Sequence, residues 1–203
     1  MSPNNLLVIF DCDGVVVDSE QPTLDMLQAD LAAHGLPLTM DELTSKYVGG
    51  TVEACATRAR AAGATLPEGW VQDFYTRMYA MLRAHTPLIP GILTVLDALD
   101  AAGLPYAMGS NGTPEKMQIT LGQHAGLIAR FGGRIFSGQD MPRPKPFPDV
   151  FLHAAQSMAA DPASCVVVED SPTGARAAKA AGMRCMGYAP HGRAGRVAEG
   201  AQP

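Results

Sequence analysis

The chain has little of what marks a membrane-bound, disulfide-built or nucleic-acid-binding protein. Its four cysteines, Cys12, Cys55, Cys165 and Cys185, are scattered and form no Cys-x-x-Cys pair. That spacing argues against a zinc site or a disulfide framework and fits reduced thiols in a cytosol. No apolar run approaches the roughly 20 residues of a membrane span. Met1-Ser2-Pro3-Asn4-Asn5 lacks a basic region, and Leu6 to Phe10 is too short for the apolar stretch of a signal peptide. A cytoplasmic location is therefore expected. The net charge is −5 and no basic stripe is present. Neither nucleic acid nor an anionic membrane is an expected partner. Internal repeats and low-complexity tracts are also lacking. With 203 residues, 47% of them hydrophobic, the chain can build a real core, as one domain with an insert or as two small ones.

What is present is concentrated first in Leu6-Leu7-Val8-Ile9-Phe10-Asp11-Cys12-Asp13-Gly14. Five apolar residues ahead of a glycine turn read as a strand buried on both faces, as in a parallel sheet. The strand delivers two carboxylates, Asp11 and Asp13, to its C-terminal end, where open α/β sheets bind ligands. Two acids so close repel unless a cation neutralises them or one keeps a proton. A hard metal ion, a nucleophile beside an acid/base, or both would answer that repulsion. An Asx turn closing the strand is the alternative. Cys12, between the acids, reads as a small strand-end residue, with a catalytic thiol as the other possibility.

Residues 20 to about 86 read as almost all helix. Leu24, Leu27 and Leu31 set a first helix that Gly35 and Pro37 stop. A second starts near Asp41-Glu42, a third runs over about Thr51 to Ala62, and a fourth follows Pro67 through Trp70, Phe74 and Met78. Strands and helices then alternate. Ile92 to Ala102 is predicted helical on Leu93, Leu96 and Leu99, followed by strand Tyr106 to Ser110 and a helix that Thr113 caps with Pro114 in its first turn. Strand Arg134 to Gly138, helix Phe147 to Ala159, strand Cys165 to Val168, helix Thr173 to Ala181 and strand Arg184 to Tyr188 complete the pattern. Such alternation means a parallel sheet with right-handed crossovers. The expected fold class is α/β, a Rossmann-like parallel sheet flanked by helices, with an inserted all-helical cap. The expected division is residues 1–16 with 88–203 as the core and 17–87 as the cap.

Each polar cluster follows a strand: Asp11 and Asp13, then Ser110-Asn111, then Lys145, then Glu169-Asp170. Singly these read as a solvated lysine or as helix caps. At one sheet edge they supply a nucleophile, a hydroxyl, a cation and metal carboxylates, the parts that phosphoryl transfer needs.

Asp11-Cys12-Asp13-Gly14-Val15 with Asp18-Ser19-Glu20 resembles the first motif of the haloacid dehalogenase superfamily, in its helical-cap phosphatase and phosphomutase branch. The resemblance extends through four motifs in order, as far as about Tyr188. It implies that Asp11 is the nucleophile that becomes an aspartyl-phosphate. It implies that Asp13 is the general acid/base, that Ser110 and the Asn111 backbone bind phosphate, and that Lys145 offsets their charge. Asp170, supported by Glu169, would hold Mg²⁺ together with Asp11 and the Asp13 carbonyl, an all-oxygen set suited to that ion. A cis Lys145–Pro146 bond is also implied. Ser110-Asn111-Gly112, Lys116-Met117-Gln118, Phe136-Ser137-Gly138 and His153-Ala154-Ala155 resemble the branch containing 6-phosphogluconate phosphatases. Relatives usually carry a further strand and helix where this chain has Pro190, Gly192, Gly195 and Gly200, so a trimmed terminus or a less covered sheet edge is expected.

The expected activity is a Mg²⁺-dependent phosphatase acting on a small sugar phosphate or sugar-acid phosphate. A sugar phosphomutase is the alternative, and a non-enzymatic metabolite-binding protein on this fold is a remoter one. The mutases carry an arginine just after a cap glycine. Here Gly49 is followed by Gly50, Thr51, Val52 and Glu53, with no cation. Lys46 is the candidate for an anionic substrate tail, and Gly50 for close backbone approach to substrate. The cap is expected to close around Val17-Asp18 and His85 to Gly91. The oligomeric state is open, with a monomer slightly favoured.

Overall fold

The apolar run near the start of the chain is the middle strand of a five-stranded parallel sheet. In the computed structural model, which describes residues 6–47 and 51–189, β1 (Leu7–Phe10) lies between β2 (Tyr106–Ser110) and β4 (Cys165–Glu169). β3 (Ile135–Ser137) flanks β2 and β5 (Arg184–Gly187) flanks β4, giving the order β3-β2-β1-β4-β5. The register pairs Phe10 with both Met108 and Val168. Residues just beyond Phe10, Met108 and Val168 therefore lie at one end of the sheet. This is how Asp11, Ser110 and Glu169 come to share a neighbourhood although the chain spreads them over some 160 positions.

The sheet is covered on both faces, which explains why its strands read as unbroken apolar runs. Leu7, Ile9, Ala107 and Val167 pack with α8 (Asp149–Ser157) and α9 (Pro172–Ala180) through Val150, Phe151, Ala154, Ala175 and Ala178. Phe10, Tyr106 and Met108 pack on the other side with α5 (Ile92–Ala101), α6 (Pro114–Leu121) and α7 (Leu127–Phe131). In α5 the buried residues are Ile92 and Leu96, while Leu93 is 46% exposed. Leu99 packs against the same core cluster as Ile92 and Leu96, and Leu93 turns outward. The helix α7 was not foreseen. It is five residues between two glycines, Gly126 and Gly132, both with positive φ, too short to show a period.

The chain divides into two compact units. One holds the described residues up to Asp18 and from Thr86 onward; the other is Ser19–His85. The second is all helix: α1 (Glu20–Ala33), α2 (Met40–Lys46), α3 (Val52–Ala61) and α4 (Trp70–Ala84). α4 buries Trp70, Phe74, Met78 and Leu82, an i, i+4 stripe. Asp30 of α1 ties α1 to α4, accepting from Trp70 Nε1 at 2.5 Å and from Arg77 at 2.9 and 3.1 Å. Thr39 and Glu42 form a capping box at the start of α2. Within the first unit the two crossing segments pair: Asp18 N–H donates to Pro87 O at 2.8 Å, Ile89 N–H to Val16 O at 3.0 Å, and Val17 bridges Leu88. Among the described residues, no helix is long and apolar enough to cross a membrane.

Candidate active site

Lys145 links the ends of two strands. Its ammonium donates to Asp11 Oδ1 and to Glu169 Oε1, each at 2.7 Å. All three are buried, the lysine side chain to 3% exposure. Phe151 of α8 presents its ring 4.7 Å below the ammonium, a further favourable contact for a cation. The loop that carries Lys145 is clamped by Asn111. Its side chain accepts from Lys145 N–H at 2.9 Å and donates to Lys145 O at 3.1 Å. Asn111 was expected to act through its backbone, so this side-chain role is an addition. The Lys145–Pro146 peptide bond is cis.

Glu169 is fully engaged. Besides Lys145 on Oε1, its Oε2 accepts the N–H and the hydroxyl of Ser171, both at 2.9 Å. Gly174, in the first turn of α9, makes this possible, since any Cβ there would collide with the Glu169 carboxylate. Gly14 plays the same part for Asp170: with φ at +80° it turns the chain, and a side chain there would strike the Asp170 carboxylate. The glycine of the first motif thus clears the space where the fourth-motif acid sits.

Asp11, Glu169 and Asp170 each offer a carboxylate oxygen, and these lie within 4.8 Å of one another. Burial pushes the Asp11 carboxyl up, Lys145 pulls it down, and Glu169 and Asp13 add to the upward push. Burial opposes the charge on Lys145, but Asp11 and Glu169 outweigh it and its pKa is raised. Three carboxylates against one buried ammonium leave negative charge in excess. An oxygen-only donor set of this kind fits a hard divalent cation such as Mg²⁺.

Asp13 is served by a different lysine. Lys116 Nζ lies 2.8 Å from Asp13 Oδ2, with side chains 15% and 24% exposed. Burial works against the Lys116 charge, while Asp13 more than restores it and raises its pKa. Lys116 was noticed in the sequence only as part of a subfamily resemblance, not as a site residue. Ser110 is buried at the end of β2, where its Oγ accepts Gly112 N–H at 3.0 Å. Cys12 is wholly buried, and burial, then Asp13 and Asp11, push its thiol well up. It packs in the core cluster with Phe10, Val15 and Val16.

Lys46 belongs to the helical unit, in the last turn of α2, 3.6 Å from Glu42 and 61% exposed. Gly50 lies outside the described residues. Arg58 and Arg60 of α3 donate to backbone carbonyls, of Tyr47 at 2.9 Å and of Pro67 at 3.1 Å respectively.

Comparison with known proteins shows the family. The family model for haloacid dehalogenase-like hydrolases matches residues 6–182. The 6-phosphogluconate phosphatase of Escherichia coli (strain K12) is 30% identical over 190 residues, 92% of this chain and 84% of that protein. The bifunctional riboflavin kinase/FMN phosphatase of Arabidopsis thaliana is 30% identical over 187 residues, and there the chain spans 47% of the relative's length. Among solved structures, a HAD family hydrolase from Deinococcus radiodurans R1 with bound phosphate and sodium superposes with a TM-score of 0.75. It shares 33% identity over 99% of this chain and 90% of that one. The chain therefore belongs to the haloacid dehalogenase-like hydrolases, as an enzyme of the phosphatase kind.

Proposed function

We propose that the protein is a Mg²⁺-dependent phosphatase of small phosphorylated metabolites that works through an aspartyl-phosphate on Asp11. The observation that carries this reading is the Lys145 bridge between Asp11 and Glu169, beside the Asp170 carboxylate. A buried carboxylate whose one oxygen is held by a buried cation is oriented to present the other to phosphorus. Asp11 attacks, the phosphorus–oxygen bond to the alcohol breaks, and Asp13 gives the leaving oxygen its proton. Asp13 then takes a proton from the water that cleaves the acyl phosphate. Ser110 and the Asn111 backbone would bind the phosphoryl oxygens, and Lys145 would offset their charge. Asp11, Asp170 and the Asp13 carbonyl would hold the divalent cation, which when bound supplies charge neutralisation between carboxylates and phosphate. Glu169, with both oxygens already hydrogen-bonded, holds Lys145 in place.

The mutase reading is weaker on this structure. A second phosphate wants a bidentate arginine; the stretch after Gly49 has none, and Arg58 and Arg60 each donate to a backbone carbonyl. The relatives named for phosphogluconate and FMN, and the one with bound phosphate, support a phosphorylated metabolite as substrate. The test is a panel of sugar phosphates, sugar-acid phosphates and phosphoglycolate with Mg²⁺, following inorganic phosphate. Stoichiometric phosphate release is expected. Isomerisation of a sugar 1-phosphate faster than phosphate release, stimulated by catalytic bisphosphate, would establish the mutase instead.

A further inference from the structure

Lys116 sits where local physical chemistry disfavours it. Thr113 caps α6 and accepts Lys116 N–H at 3.1 Å, which makes Lys116 the third residue of the helix. The amino end of a helix repels cations and attracts anions. The side chain is also 85% removed from solvent, since 15% remains exposed, and burying an ammonium is unfavourable without a partner. Both penalties are met by one contact, the 2.8 Å pair with Asp13 Oδ2. A residue that breaks two local rules and makes one compensating contact at the site is there for that contact.

The anchoring of α6 gives the contact its precision. Ser110 Oγ accepts Gly112 N–H at 3.0 Å, and Ser137 Oγ donates to Gly112 O at 2.7 Å. The start of α6 is thereby fixed to the ends of β2 and β3. Gly112 also keeps the approach narrow: a Cβ there would lie 3.5 Å from Asp13 Oδ2 and 3.3 Å from Ser110 Oγ. The lysine thus reaches Asp13 from a fixed base.

We infer that Lys116 is a positioning residue for Asp13, fixing the plane of its carboxylate against the leaving-group oxygen. The inference rests on the phosphatase reading above. Lys145 holds the acid that bonds to phosphorus, and Lys116 holds the acid that moves the proton. Without the ammonium, Asp13 Oδ2 loses the 2.8 Å contact that aims it. Small misplacements of a catalytic group are costly in rate, on the order of 10²-fold for about 1 Å. The loss falls on substrates whose leaving oxygen needs a proton and spares those that depart unaided.

The experiment compares kcat/KM for phenyl phosphate and 4-nitrophenyl phosphate with Mg²⁺, in wild type, Lys116→Met, Lys116→Gln and Lys116→Arg. The two esters have similar shape and differ in leaving group. Their ratio, measured on one sample, does not depend on the folded fraction, and the Gln variant provides a second neutral side chain. The expected result is a fall of about 30-fold on phenyl phosphate and less than about threefold on the nitrophenyl ester for both neutral variants. Lys116→Arg should recover most of the ratio. Equal losses on the two esters, or an unchanged ratio, would overturn the inference while leaving the phosphatase reading intact. A wild-type protein that hydrolyses neither ester would instead overturn the phosphatase reading on which the inference rests.

Discussion

Asp11 and Asp13 stand two residues apart, and the fold treats them in opposite ways. The Asp11 half of the site is closed: Asp11, Lys145 and Glu169 are buried together, with Phe151 beneath the ammonium. The Asp13 half is more open, its lysine and carboxylate 15% and 24% exposed. The strand makes this difference, because the burial of β1 extends through Asp11 and Cys12 before Gly14 turns the chain. The division suits the chemistry. A nucleophile needs one fixed trajectory and little water, while an acid/base must exchange a proton and meet water in the second step.

Replacing the nucleophile should break the comparison most severely. Asp11→Asn keeps the shape but cannot form an acyl phosphate, so turnover should fall by at least about 10⁴-fold. Steady-state phosphate release from protein with an unchanged circular-dichroism spectrum checks this. Substantial turnover there would remove Asp11 from its role.

Asp13→Ala should act through the leaving group. A loss of about 10²–10⁴-fold is expected on alkyl phosphates and a much smaller one on 4-nitrophenyl phosphate. Equal losses would mean that the two aspartates do not divide the work.

The lysines should differ in stability as their burial differs. Lys145→Met strands two buried carboxylates, a change expected to destabilise by about 3–5 kcal/mol. Lys116→Met, in the more open half, should destabilise by no more than about 1–2 kcal/mol. Urea midpoints of the two variants, measured without divalent metal, make the comparison. Similar shifts would contradict the division into a closed and an open half.

Metal binding should give a smaller effect than the loss of Lys145 and still discriminate. Mg²⁺ at 100 times its dissociation constant stabilises the folded state by about 2.7 kcal/mol. The melting temperature of wild type should rise accordingly, while Asp170→Asn should show little or no rise. A full rise in Asp170→Asn would place the ion elsewhere.

The sheet was legible in the sequence because its strands are buried on both faces and appear as short apolar runs ending in polar residues. The order of the reactive residues was legible for the same reason, each lying just past a run. Partnerships across long sequence separations were not. Asn111 clamps Lys145 across 34 positions, and no local pattern announces this. Lys116 was hidden differently: a lysine in a first helical turn looks like a surface residue, and only the placement of α6 against Asp13 shows its use. Glu169 keeps its place beside Asp11 and Asp170 in the acidic cluster, and its further contacts with Lys145 and Ser171 were not announced by the sequence. Gly14 and Gly174 read as a turn and a helix residue, whereas both are spaces for a carboxylate. In α5, two of the three spaced leucines, Leu96 and Leu99, pack toward the core with Ile92, while Leu93 is exposed.

The most direct measurement is to trap the covalent intermediate. Wild-type protein is mixed with Mg²⁺ and excess 4-nitrophenyl phosphate, quenched in acid within milliseconds, reduced with borohydride and digested for mass spectrometry. Reduction converts an aspartyl-phosphate to homoserine. Homoserine at position 11, absent without substrate and absent in Asp11→Asn, is the predicted result. Homoserine at position 13 or 170, or none at any residue while phosphate is being released, would contradict the assignment of Asp11 as the group that takes the phosphoryl.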